Sequence, residues 1–119
     1  MVPFVTFFTV TRPFVGEFDR IQRLAISSWL SAAPTSEALV FGNQEGTADA
    51  CRVLGAKHIP VVATNEHGTE LVSDVFRQAG ELAQGDWLCE ISADIVLGGD
   101  FVLALQGLKG RRKPFVVGQ

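Results

Sequence analysis

Short apolar runs separated by stretches with helical spacing constrain this chain more than any other feature. Phe4 to Val10, Ala38-Leu39-Val40-Phe41, Ile59 to Ala63 and Trp87-Leu88-Cys89-Glu90-Ile91 read as strands, with a short last strand at Phe115-Val116-Val117. Between them the apolar residues recur at the helical period, and this alternation is the signature of an α/β sheet. The first helix is expected from about Glu17 to Ala33, with Phe18, Ile21, Leu24, Ala25, Trp29 and Ala32 inward and Pro34 as its stop. A short second helix carries Ala48, Cys51 and Leu54 on one face and closes at Gly55. The third is expected from Leu71 to Ala83, with Val72, Val75, Phe76, Ala79 and Leu82 as its stripe. A fourth, capped by Asp100, would turn Phe101, Leu105 and Leu108 inward and end at Gly110.

Pro60 falls inside the expected third strand and cannot donate a ladder hydrogen bond, so that strand belongs at a sheet edge. Right-handed crossovers then favour a parallel sheet in the order 3-2-1-4, plus the short last strand, with helices on both faces. The expected class is a three-layer, Rossmann-like α/β fold. Its strand order reverses between the first and fourth strands, and ligands of such sheets bind outside the carboxyl ends of the strands at that point. The segment from Thr9 to Gly16, facing Ser92 to Leu97, is therefore the expected site.

At 119 residues, 47% of them hydrophobic, the chain reads as one domain spanning 1–119, and intrinsic disorder is excluded. Ten Lys and Arg against thirteen Asp and Glu leave a formal net charge of −3, a poor match to a nucleic-acid backbone. Cys51 and Cys89 form no Cys-x-x-Cys pair and read as reduced, buried thiols of a cytoplasmic protein. The apolar start lacks a basic leader region and reads as a strand, not a signal peptide. No apolar run approaches the roughly 18 residues of a membrane span.

Asp94 follows the fourth strand directly and brings a carboxylate to the expected crevice. Either it helps to hold Mg²⁺ or Mn²⁺ beside a diphosphate, or it caps the turn before Asp100. The loop Thr9-Val10-Thr11-Arg12-Pro13-Phe14-Val15-Gly16 brings hydroxyls and a guanidinium to the same crevice. It suits a nucleotide, or equally a solvated turn in which Arg12 pairs with Glu17 or Asp19. It has neither Gly-rich phosphate spacing, which disfavours a P-loop or dinucleotide site. Two amide-rich and carboxylate-rich loops, Gly42 to Glu45 and Thr64 to Thr69, end strands on the same edge. His58 and His67, at opposite ends of the third strand, are too far apart to share a metal, and no Ser-His-Asp or Cys-His arrangement is evident. The basic cluster Lys109, Arg111, Arg112 and Lys113 reads as a solvated turn at a helix C-terminus.

The ordered set Phe7 to Phe14, Ile21 to Trp29, Val40-Phe41-Gly42, His58-Ile59-Pro60, Asn65-Glu66-His67-Gly68-Thr69 and Ser92-Ala93-Asp94-Ile95 resembles the nucleotide-diphospho-sugar transferases of the GT-A, glycosyltransferase family 2-like group. The resemblance spans essentially the whole chain and covers that family's nucleotide-binding half. It implies binding of a nucleoside diphosphate sugar, with Asp94 at the family's Asp-x-Asp or Asn-Ala-Asp element contacting diphosphate and Mg²⁺ or Mn²⁺. Ser92 stands where the family commonly carries an acidic or amide residue, so Asp94 is the motif's only carboxylate. By the same carry-over Thr9, Thr11 and Arg12 wrap base and ribose, and Asn43 and Asn65 lie on the nucleoside side. Sugar transfer then requires the family's acceptor-binding half with its catalytic base. The alternative expectation is a non-catalytic α/β binding or assembly module on the same fold. Self-association is expected through the last strand, as an uncovered edge.

Overall fold

The computed structural model of the chain describes residues 5–33, 35–85, 87–98 and, by their backbone, 115–118. The elements run β1 (Val5–Val10), α1 (Gly16–Ala32), β2 (Glu37–Phe41), α2 (Thr47–Leu54), β3 (Lys57–Ile59), α3 (Val72–Leu82), β4 (Trp87–Ile91) and β5 (Phe115–Gly118). The five strands among the described residues pair in parallel, in the order β3-β2-β1-β4-β5. The expected order therefore holds, with β5 added beside β4. The expected fourth helix and the Lys109 to Lys113 cluster lie outside the described residues.

Strand alternation divides the core in two. Val5 and Phe7 of β1, Ala38 and Val40 of β2, and Trp87, Cys89 and Ile91 of β4 pack with Ala25, Ile26 and Trp29 of α1 and Ala50 and Cys51 of α2. The residues of opposite parity, Phe8, Leu39, Phe41 and Leu88, pack with Val75 and Ala79 of α3. Successive side chains of a strand point to opposite faces, so α1 and α2 cover one face and α3 the other. Burial on both faces explains why the central strands read as continuous apolar runs.

Three expectations are corrected. First, α1 buries Gln22, Ala25, Ile26 and Trp29, while Phe18, Ile21 and Leu24 are 46%, 38% and 58% exposed. The buried set has the ideal i, i+3, i+4, i+7 spacing but begins with a polar residue, and Trp29 secures the rotation by packing 5.7 Å from the Phe7 ring. Second, β3 ends at Ile59, one residue before Pro60, whose missing N–H stops the ladder instead of interrupting it. His58 consequently lies within the strand, its ring 2.7 Å from the Gly42 carbonyl. Third, Val72 and Leu82 of α3 are exposed, as is Ala48 of α2, which turns Thr47, Ala50 and Cys51 inward.

At the amino ends of the strands lies the buried carboxylate of Glu37. It accepts hydrogen bonds from the Thr6 hydroxyl at 2.7 Å, Lys57 Nζ at 2.7 Å and the Gln84 N–H at 2.8 Å. The Gly85 N–H donates to Thr6 Oγ1 at 3.0 Å. Burial alone would raise the carboxyl pKa, but the hydrogen bonds from Lys57, Gln84 and Thr6 outweigh it and hold the value below that of an ordinary glutamate.

The ionised form is thus the one the fold binds, so this stabilisation is complete above the ordinary glutamate value and is lost as pH falls through the lowered one. Glu37→Gln should cost about 2 kcal/mol near neutrality, with a smaller difference from wild type in acid. Urea unfolding of both proteins at the two pH values checks this; a difference that does not shrink in acid would contradict the assignment.

Candidate functional site

The strand order reverses between the parallel strands β1 and β4, and the segments leaving these two strands lie side by side at the carboxyl edge of the sheet. A cleft of about 580 Å³ opens there on the α3 side. Phe8, Thr9 and Val10 of β1 and Glu90 and Ile91 of β4 form its floor, and Val72, Val75 and Phe76 of α3 its wall. Thr69 and Glu70 stand on one rim, Ser92 and Asp94 on the other. A smaller cavity of about 190 Å³ adjoins it on the α1 side, bordered by Arg12, Phe18, Ile21, Gln22 and Ala93. Val10, Ser92 and Asp94 border both.

Helix α1 positions both segments. The buried Gln22 carboxamide clamps the backbone of Arg12: its Oε1 accepts from the Arg12 N–H at 2.7 Å and its Nε2 donates to the Arg12 carbonyl at 3.0 Å. On the other side Trp29 Nε1–H donates to the Ile95 carbonyl at 2.7 Å, and the Leu97 N–H donates to Ser28 Oγ at 3.0 Å. The turn carrying Asp94 is closed by the Ile95 N–H on the Ser92 carbonyl at 3.1 Å. The segment after β1 is also tied to the one after β2, because the Phe14 N–H donates to the Glu45 carbonyl at 2.7 Å. Gly46 permits that approach: its φ is +80°, and a Cβ there would lie 2.9 Å from the Phe14 Cβ.

Of the residues expected at the site, Thr9, Arg12 and Asp94 border the two cavities. Thr9 is buried, its hydroxyl 3.4 Å from the Val10 carbonyl. Arg12 is exposed and pairs with neither Glu17 nor Asp19; its guanidinium lies 5.1 Å from the Phe18 ring centroid, and Asp19 instead pairs with Arg23. Thr11 borders neither cavity, and its buried hydroxyl has no hydrogen-bond partner among the described residues. Asn43 is exposed in the loop after β2. Asn65 acts locally: its Oδ1 accepts from the His67 and Thr69 N–H groups at 2.8 and 3.1 Å, an Asx turn that presents Thr69 and Glu70 to the rim.

Two carboxylates at the cleft escaped the sequence reading. Glu70 follows the Asn65 turn, and Gly42 leaves room for it, since a Cβ there would meet Glu70 Oε2 at 2.8 Å. Glu90 carried a readable signal, as the only charge in an otherwise apolar central strand. With Asp94 they make the larger cleft acidic, and no Lys, Arg or His borders it among the described residues. No group of three His, Cys, Asp or Glu side chains converges as a metal cage among the described residues. A lone carboxylate such as Asp94 gives a divalent ion one protein ligand, so an ion there would need its other ligands from phosphate oxygens or water. Both thiols are buried and disfavour the thiolate: burial pushes Cys51 up to about 11, and burial with the neighbouring Glu90 charge pushes Cys89 up to about 12.

The Gln22 clamp can be tested alone. Gln22→Leu keeps most of the volume but leaves the Arg12 N–H and carbonyl without their partner, which should cost about 2 kcal/mol and speed hydrogen exchange at the Arg12 amide. Unchanged protection of that amide would rule the clamp out.

Comparisons of the chain with protein-family models, with curated proteins and with solved structures each find no match.

Proposed function

We propose that the chain binds a nucleoside diphosphate sugar in the cleft at the ends of β1 and β4, together with Mg²⁺ or Mn²⁺, as the donor-binding part of a glycosyltransferase. The observation that carries this reading is the position of Asp94, which borders both cavities at the point where strand order reverses. An elongated ligand centred on Asp94 has room on either side of it. Arg12 brings a guanidinium to the smaller cavity, and Thr9 and Ser92 bring hydroxyls that either donate or accept. Asp94, Glu70 and Glu90 would repel a bare diphosphate, and a divalent ion, when bound, neutralises charge on the diphosphate as it leaves. The two buried free thiols suit a reducing compartment and support a cytoplasmic location. Among the described residues no helix is long and apolar enough to cross a membrane.

Calorimetric titration of nucleoside diphosphate sugars tests the reading. Mn²⁺ should tighten their binding to the wild type by about tenfold, or about 1.4 kcal/mol. Asp94→Asn keeps the shape but removes the charge, so the metal enhancement should vanish while weak binding through Thr9 and Arg12 persists. Equal metal dependence in the two proteins rejects the role of Asp94. A wild type that binds no nucleotide leaves the non-catalytic binding or assembly module as the reading.

Self-association through β5 belongs to the same proposal. Among the described residues this strand is the last of the sheet and pairs with β4 on one side, and an edge of that kind offers backbone donors and acceptors to a second copy. Sedimentation should depend on concentration; a monomer at every concentration tested rejects the contact.

A further inference from the structure

Glu90 stands where the strand pattern calls for an apolar residue. It is in register with Phe8 on β1 and Val117 on β5, and alternation places it on the sheet face that carries Leu88, Phe8 and α3. The other four residues of β4 are buried, whereas Glu90 is half-buried and contributes to the floor of the larger cleft. No hydrogen-bond donor or cation among the described residues pairs with it. Half-buried at the cleft floor with no donor beside it among the described residues, the side chain has both carboxylate oxygens free for a ligand. Ionised, it can only accept, and its two oxygens match a pair of adjacent donors.

We propose that Glu90 is a specificity-determining residue whose two oxygens accept hydrogen bonds from a pair of adjacent donors on the nucleoside diphosphate sugar bound in this cleft. The inference rests on the donor-binding reading above. Adjacent donors occur as neighbouring hydroxyls of a hexose or ribose ring and as the neighbouring N–H groups of a guanine edge. The apolar wall formed by Val72, Val75 and Phe76 suits the face of any of these rings.

The test is calorimetry in Mn²⁺ on the whole chain, with GDP, UDP and their hexose conjugates as probes, comparing wild type, Glu90→Gln and Glu90→Asp. Glu90→Gln should bind at least one class of probe about tenfold more weakly while keeping its metal enhancement. Loss confined to the hexose conjugates assigns the donor pair to the transferred sugar. Loss confined to the guanine compounds assigns it to the base, and loss shared by all probes assigns it to the ribose. Wild-type affinity of Glu90→Gln for every probe, with or without a lower melting temperature, overturns the proposal and leaves the donor site standing. Failure of the wild type to bind any probe overturns the donor site and this inference with it. Glu90→Asp withdraws the carboxylate by one methylene, so if Glu90→Gln does not fold, wild-type affinity in Glu90→Asp overturns the proposal equally.

Discussion

One buried carboxylate holds the strands in their relation to one another. Glu37 opens β2 directly opposite Thr6 of β1, accepts a hydrogen bond from its hydroxyl, reaches Lys57 on β3 and accepts from the backbone N–H of Gln84 on the way into β4. Three strands and the entry to a fourth thus share a single acceptor. Thr6 passes the connection on by accepting from Gly85, so both polar groups are satisfied, and a buried network of this kind specifies one arrangement because any other leaves a charge without donors. A slip of one residue would separate Thr6 from Glu37. It would also turn Phe7 and Phe8 to the wrong faces of the sheet, so polar and apolar terms enforce the same register.

The two ends of the sheet are held from different elements. At the amino ends Glu37 and Thr6, both on strands, bind each other, Lys57 and the backbone of Gln84 and Gly85. At the carboxyl ends helix side chains bind the backbone: Gln22 holds Arg12, Trp29 holds Ile95, and Ser28 holds Leu97. All three belong to α1, which therefore supports both sides of the point where strand order reverses. The ends of Arg12 and Asp94 stay open to solvent while the backbone beneath them is fixed, the division expected of a site carried by loops on a rigid frame.

The architecture was legible in the sequence because parallel strands buried on both faces leave unmistakable apolar runs, and β4 was read from Trp87 to Ile91 as it is found. The buried face of α1 was not. Pattern reading follows the largest apolar residues, and here the inward stripe starts with Gln22, whose burial makes sense only once its two bonds to Arg12 are seen. Pro60 pointed to the edge position of β3 but not to its end, since a missing N–H serves both as an edge marker and as a stop. Thr9, Arg12 and Asp94 were placed at the crevice by topology. Asn65 was expected on the nucleoside side, and its part in a turn shows only in the folded chain; Glu70 reaches the rim through a loop whose path no periodicity encodes.

The tie between Phe14 and Glu45, with Gly46 packed against it, joins the loop after β1 to the loop after β2. Surface loops usually move independently, and a ligand that settles on one must freeze it at a cost in conformational entropy. Here the first loop is already held at Arg12 by α1 and at Phe14 by its neighbour. A loop tied at two points before a ligand arrives has less backbone freedom left to lose than one without such ties.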